Sequence, residues 1–183
     1  MKKVLIALIA TAFAAPAFAA DNYVSASVGR AKHKLEADGA KMSEKDTSFK
    51  AAVGHNFMPG VGVELGYVNF GETRVSGGGA TAWAKPKSLY AAVVGEVPVA
   101  DKFSVLGKLG VARSSTEIGG SIGGVTQTAK EKDTSAVIGL GAAYAFTDAV
   151  KLVAEYENFG KVAKGEGDSL KVDQVSVGLR VAF

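Results

Sequence analysis

The chain has 183 residues, 48% of them hydrophobic, with 23 glycines and 4 prolines, and it carries 21 basic against 18 acidic side chains. Cysteine is absent, which excludes a disulfide framework and any thiolate metal or redox site. The length is that of one domain.

Residues 1–19 comprise Lys2 and Lys3, an apolar run from Val4 to Ala15, and the small-residue site Ala17-Phe18-Ala19. This is the pattern of a secretory signal, too short and wrongly flanked to remain as a spanning helix. Cleavage after Ala19 takes 19 of the 183 residues and leaves 164, one domain over 20–183. Losing Lys2 and Lys3 from 21 basic residues leaves 19 against 18 acidic ones, so the basic whole-chain pI is no argument for nucleic acid. No later stretch approaches the roughly 20 apolar residues of a membrane helix. Apolar residues recur instead at every second position of many short segments, as in a transmembrane barrel.

Eight such segments follow in order. The first, 23–33, sets Val24, Ala26 and Val28 against Ser25, Ser27 and Gly29. The second, 47–57, sets Phe49, Ala51, Val53 and Phe57 against Lys50, Ala52, Gly54 and Asn56, and Met58-Pro59-Gly60 then turns the chain. The third, 61–70, sets Val61, Val63, Leu65 and Tyr67 against Gly62, Glu64 and Gly66; the fourth, 88–97, sets Leu89, Ala91, Val93 and Val97 against Ser88, Tyr90, Ala92 and Glu96. The fifth, 103–113, sets Phe103, Val105, Leu109 and Val111 against Ser104, Lys108, Gly110 and Ala112. The sixth, 134–146, sets Ile138, Leu140, Ala142, Tyr144 and Phe146 against Gly139, Gly141 and Ala143. The seventh, 149–159, sets Val150, Leu152, Ala154 and Tyr156 against Lys151, Val153, Glu155 and Glu157. The eighth, 172–183, sets Val175, Val177, Leu179, Val181 and Phe183 against Ser176, Gly178, Arg180 and Ala182.

The connections alternate between long (34–46, 71–87, 114–133, 160–171) and short, which places both termini on the short-turn side. That is the layout of outer-membrane barrels, with short periplasmic turns and long extracellular loops. Phe57, Phe103, Phe146 and Phe183 are expected near the turn-side interface, and Tyr67, Phe70, Tyr156 and Phe159 near the loop side, some of them pointing inward.

The segments GHNFMPGVGVELGYVNFG (54–71), AAYAFTDAVKLVAEYENFG (142–160) and VSVGLRVAF (175–183) resemble the eight-stranded outer-membrane β-barrel superfamily, which includes the OmpA transmembrane domain, OmpX-type barrels and small opacity-type surface antigens. The resemblance covers the whole mature chain and implies an all-β, eight-stranded, antiparallel up-and-down barrel in the outer membrane of a Gram-negative cell. It implies a lumen filled by ion pairs, with Glu64 and Lys108 on charged lumen positions of the family. It also implies a terminal strand, through Val181 and Phe183, read by the barrel-assembly machinery. Ala143 and Val153 occupy positions that are acidic and basic in OmpA, so the OmpA gate is not reproduced residue for residue. No wall-binding domain is expected after Phe183, and the wall-anchoring role of full-length OmpA does not carry over.

By strand parity Glu64, Glu96, Lys108, Lys151, Glu155, Glu157 and Arg180 face the interior. Such charges either pair into a packed network or line a narrow ion path, and both readings stand at this stage. Lys34, Lys41, Lys45, Arg74, Lys85, Lys87, Lys130, Lys132, Lys161 and Lys164 fall in the loops, where lipopolysaccharide phosphates or an acidic partner are conceivable contacts and plain solvation is the simpler reading. Trp83 is either a partner anchor or a residue resting on the rim. His33 and His55 are expected at opposite ends of the barrel and offer no catalytic constellation. No metal-ligand cluster is visible, and no cofactor is expected. Gly77-Gly78-Gly79 and the glycines of 119–124 lack the following Lys-Ser/Thr of a phosphate loop and read as loop tips.

The expected protein is therefore a non-enzymatic surface barrel among outer-membrane lipids and lipopolysaccharide, acting in envelope integrity, adhesion, or binding of a host or envelope ligand through its loops. Arg74, Trp83, Lys85 and Lys87 are the candidate contacts. The alternatives are a low-conductance channel and a soluble periplasmic barrel that carries an apolar ligand.

Overall fold

The computed structural model of the protein describes residues 21–37, 40–77, 80–122, 125–164 and 169–183. The expected signal over 1–19 and the glycines Gly78, Gly79, Gly123 and Gly124 lie outside the described residues. The strands are β1 (Asn22–Ala37), β2 (Ala40–Met58), β3 (Val61–Asn69), β4 (Thr73–Gly77), β5 (Ala80–Ala100), β6 (Phe103–Ile122), β7 (Val125–Ala145), β8 (Val150–Lys164) and β9 (Ser169–Ala182).

β3 and β4 form one stave, because both pair with β5 at successive heights. The β1–β9 pairing closes the ring, from Tyr23↔Ala182 to Glu36↔Ser169. The result is a closed, antiparallel, up-and-down barrel of eight staves. Closure matters because lipid offers no partner to a free N–H or C=O, so a spanning sheet cannot keep an edge.

Parity sorts the side chains as the alternation predicts. Leu89 and Leu140 are 65% and 66% exposed on the outside, while their neighbours Tyr90 and Gly139 are buried. So broad an apolar exterior is unsuited to a soluble carrier and matches the band that a barrel offers to lipid. Phe57, Phe103, Phe146 and Phe183 are exposed at the turn end, where Tyr144 lies 4.9 Å from Phe103 and 5.3 Å from Phe146 between ring centroids. At the other end Phe49, Tyr67 and Tyr156 point outward.

Three sequence expectations need correction. The long connections are mostly strand: the β6–β7 hairpin keeps its register from Phe103↔Tyr144 to Ile122↔Val125. Polar cross-strand pairs hold these extensions without apolar alternation, as where Glu117 lies opposite Lys130. Val181, assigned to the lipid face, is buried at a position opposite Val24 and Val150. Phe70 and Phe159 belong to no aromatic belt and are fully buried.

The two phenylalanines sit in a repeated device. Asn69-Phe70-Gly71 separates β3 from β4, and Asn158-Phe159-Gly160 shifts the register within β8, with the Asn Oδ1 accepting from the Gly N–H at 3.0 Å in both. Gly71 and Gly160 have φ of 88° and 62°, the left-handed region in which glycine carries no Cβ penalty. Pairing of β2 with β3 ends at Phe49↔Asn69, and pairing of β7 with β8 ends at Ile138↔Asn158. Beyond these points the described sheet continues as two blades, β8-β9-β1-β2 and β4-β5-β6-β7.

Candidate functional site

An eight-stranded barrel is only wide enough for side chains to fill it, so the lumen stands or falls on how its inward residues pair. Glu64 projects from β3 and Lys108 from β6, and their charged ends meet at 2.8 Å. The same Lys108 Nζ lies 2.9 Å from Glu155 and 2.8 Å from Glu157, both on β8. The other oxygens of this pair face Lys50 of β2, at 2.6 Å from Glu155 and 2.5 Å from Glu157. Glu64 also accepts the hydroxyls of Tyr23 at 2.9 Å and Tyr90 at 2.6 Å. Inward glycines make room for those rings: a Cβ on Gly54 would strike Tyr23, and one on Gly66 would strike Tyr90.

Toward the turn end, Glu96 takes Lys151 at 2.5 Å and Arg180 at 3.2 Å. Arg180 reaches back to Glu64 at 3.7 Å and lies 4.3 Å above the Tyr23 ring. All seven lumen charges read from parity thus face inward and join one network. Lys50 completes it, giving four carboxylates (Glu64, Glu96, Glu155, Glu157) against four cations (Lys50, Lys108, Lys151, Arg180). Lys50 alternates in phase with Ala52 and Gly54, a signal that was present in the sequence. Ala143 and Val153, the departures from OmpA, pack with Leu106 as an apolar cluster in place of charge.

Above the ions lies an apolar lid. Phe70 and Phe159 meet edge to face with ring centroids 4.9 Å apart, and Phe159 stands 5.9 Å from the Tyr90 ring. Val68, Val137, Val172, Ala31 and Ala112 complete the layer. The carbonyls freed at the two breaks are satisfied by side chains: His33 Nε2 donates to Phe70 O at 3.3 Å, and Ser135 Oγ donates to Phe159 O at 2.6 Å. A remaining cavity beside Lys50, Glu155 and Arg180 measures about 10 Å³, room for about one water.

The histidines sit apart. His33 lies 3.6 Å from Asp46, but that carboxylate takes the Thr73 hydroxyl at 2.5 Å, so Asp46 stands where a catalytic histidine would be needed. His55 is exposed and bonded to Asn22 at 3.0 Å. Among the described residues no group of three or more metal-ligating side chains occurs.

The candidate loop contacts are strand residues. Arg74 and Trp83 are register partners on β4 and β5, with the guanidinium 5.9 Å from the indole centroid. Trp83 rests over Gly119, where any Cβ would strike the ring. Glu72 takes Arg74 at 2.5 Å and Lys85 at 3.2 Å, and the Arg74 hydrogen bond holds its carboxyl below the usual carboxylate range. Lys130 faces Glu117 at 3.7 Å. Lys45, Lys87, Lys132 and Lys161 are exposed, whereas the side chains of Lys34, Lys41 and Lys164 lie outside the described residues.

The family described as outer membrane protein beta-barrel domain matches residues 5–183. No curated protein sequence matches the chain. Among solved structures, Neisserial surface protein A superposes with a TM-score of 0.60 at 21% identity, covering 89% of this chain and 97% of that one. Ail, the attachment invasion locus protein of Yersinia pestis, crystallised with the heparin analogue sucrose octasulfate, superposes with a TM-score of 0.58 at 20% identity, covering 87% and 99%. OprG from Pseudomonas aeruginosa gives 0.57 at 15% identity, covering 90% and 96%. At these identities the likeness is one of fold.

Proposed function

Because this chain belongs to the outer membrane protein beta-barrel domain family, we propose that it is a sealed, non-conducting and non-catalytic barrel whose function lies in its four extended hairpins at the cell surface. The protein resides in the outer membrane, among its lipids. The observation that carries the reading is the lumen: a charge-balanced network of four acids and four bases, capped by Phe70 against Phe159, supports a plug rather than a pore. Taking so many charges from water is costly unless each is paired and hydrogen-bonded, and the network supplies those partners.

The display consists of two blades of polar and charged strand. They offer Arg74, Trp83, Lys85 and Lys87 toward a host or envelope ligand, in an adhesive or envelope-stabilising role. Lipopolysaccharide is the proposed lipid partner. Val181 and Phe183 are proposed to present the terminal strand to the assembly machinery before the signal-cleaved chain, 20–183, closes. Ail was crystallised with a sulfated heparin analogue, and a polyanionic ligand suits the exposed lysines here as well.

The test is planar-bilayer recording of the refolded chain beside a Phe70→Ala/Phe159→Ala variant. Silence from the parent and at most rare flicker from the variant are expected. Discrete, regular steps from the parent would move the function into the lumen.

A further inference from the structure

We propose that Trp83 is the floor of a carbohydrate-binding site on the outer face of the β4-β5-β6-β7 blade, built to take the pyranose rings of a neutral glycan. The site rests on the reading above, in which the hairpins are the working part of the molecule, and adds the class of ligand that one of them takes.

Register fixes what surrounds the indole. Arg74, Trp83, Gly119 and Thr128 form one row across the four strands. A Cβ on Gly119 would lie 2.3 Å from two ring atoms of Trp83, so it is the missing side chain that lets the indole lie down on the sheet. One row nearer the membrane the charges alternate: Glu72 pairs with Lys85 at 3.2 Å, and Lys85, Glu117 and Lys130 are register partners. One row farther out, Ser76, Thr81, Ser121 and Thr126 present only hydroxyls, with Ser76 Oγ and Thr81 Oγ1 3.2 Å apart. Outward rows repeat every two residues, roughly 7 Å apart, so a ring laid on Trp83 reaches both of them.

That arrangement matches the chemistry of a sugar, which has a face of C–H groups and a rim of hydroxyls. The C–H face suits the flat apolar body of an indole. The rim needs a few placed donors and acceptors beside it, as small-molecule sites provide. Glu72, held by Arg74 at 2.5 Å, and Glu117, facing Lys130 at 3.7 Å, are positioned acceptors. Arg74 and the lysines donate, and the serine and threonine hydroxyls do both. Because each acid already has its base, the patch exerts little net pull on a polyanion. A neutral glycan takes these groups as they stand, whereas a sulfated one has to displace Glu72 and Glu117.

Position excludes the ordinary use of tryptophan in a barrel. Interfacial tryptophans sit at headgroup level, but Trp83 lies six residues beyond Leu89, the last large apolar residue on the outward face of β5. Allowing for a strand tilt of about 40°, that puts the ring about 15 Å above the apolar band. Covering Gly119 calls only for apolar area, and a leucine supplies that equally well.

Trp83 is the only tryptophan of the chain, so its fluorescence reports the site without labelling. The full barrel, refolded into phosphatidylcholine nanodiscs, is titrated with lactose, with cellotetraose and with a heparin tetrasaccharide, and saturation-transfer NMR reads which sugar protons lie against the indole. A saturable change with a neutral sugar is expected, insensitive to salt, with transfer strongest to the protons of one C–H face. Gly119→Ala lifts the ring but keeps the fluorophore, and should weaken binding roughly thirtyfold, the loss of a central aromatic anchor. Thr81→Val/Ser121→Ala should weaken it roughly tenfold. Lys87→Gln/Lys132→Gln, below both rows, should leave it unchanged. Where Gly119→Ala does not refold, Trp83→Phe replaces it, read by NMR, with a loss of about fivefold expected. Silence of Trp83 toward both neutral sugars, or undiminished binding by the folded Gly119→Ala or Trp83→Phe barrel, overturns the proposal. A response confined to the heparin fragment and lost with salt overturns the neutral assignment. Discrete conductance steps from the same preparation refute the sealed-barrel reading, whereas a silent barrel whose Trp83 ignores the neutral sugars refutes only the carbohydrate site.

Discussion

Substituting Lys108 by methionine removes the cation that three buried carboxylates share, at 2.8, 2.9 and 2.8 Å. The methionine fills a similar volume, so the loss is electrostatic rather than a cavity. Breaking a buried pair by deleting one partner costs about 3–5 kcal/mol. Here the lower end applies, because Glu155 and Glu157 keep Lys50 while Glu64 keeps Tyr23 and Tyr90. The expected loss is therefore about 3 kcal/mol, most of it the burden of an uncompensated negative charge. Adding Glu157→Gln restores neutrality, so the double variant should fall short of the summed single losses by about 1–3 kcal/mol. Reversible urea unfolding from lipid vesicles, followed by the mobility difference between folded and boiled chains, measures all three. A single loss under about 1 kcal/mol, the size of one ordinary hydrogen bond, or strict additivity in the cycle refutes the network as a structural unit.

Leu179→Arg puts a charge on the outward face of β9, opposite Ala26 and Leu152, and should cost about 2–4 kcal/mol if it lies near midplane; unchanged stability in lipid would mean that the strand's parity is wrong. Gly71→Ala forces φ of 88° on a Cβ that would lie 2.8 Å from both Asp46 Cβ and the Thr47 carbonyl, so about 1–3 kcal/mol is expected. Gly160→Ala, whose nearest contact is 3.1 Å, should cost less, and the reverse order in chemical denaturation would count against the account of the breaks. The Glu72 carboxyl, held low first by Arg74, stays paired above the usual carboxylate range and loses that pairing as pH falls through its lowered pKa. An NMR titration showing no upward shift of Glu72 in Arg74→Gln contradicts this.

Most of the barrel was legible because lipid and a filled lumen impose opposite chemistry on alternate residues. Counting Val63, Leu65 and Tyr67 against Gly62, Glu64 and Gly66 already fixes which way Glu64 points. The same count puts Phe70 and Phe159 inside; only the expectation that aromatics gather at interfaces argued otherwise, and parity prevailed. The repeated Asn-Phe-Gly was visible as letters, but its meaning depends on two rings meeting across a lumen from residues 89 positions apart, which no local pattern reports. The hairpin extensions were illegible for a plainer reason. Strands in water on both faces have no apolar alternation to read, and Ser, Thr, Gly and charge look the same in a ladder as in a loop.

The Asn-Phe-Gly breaks also govern how the molecule can diversify. The ring of hydrogen bonds stops at Asn69 and Asn158, so each blade hangs from its own four strands. Beyond the seam where Thr73 of one blade bonds Asp46 of the other, a lengthened hairpin or an altered charge in one blade shifts no register in the other, and neither reaches the ions below Phe70 and Phe159. The buried network tolerates little change, while the exposed half can drift as two independent modules. A lineage under pressure at its surface can thus redesign one blade at a time without relearning how to fold.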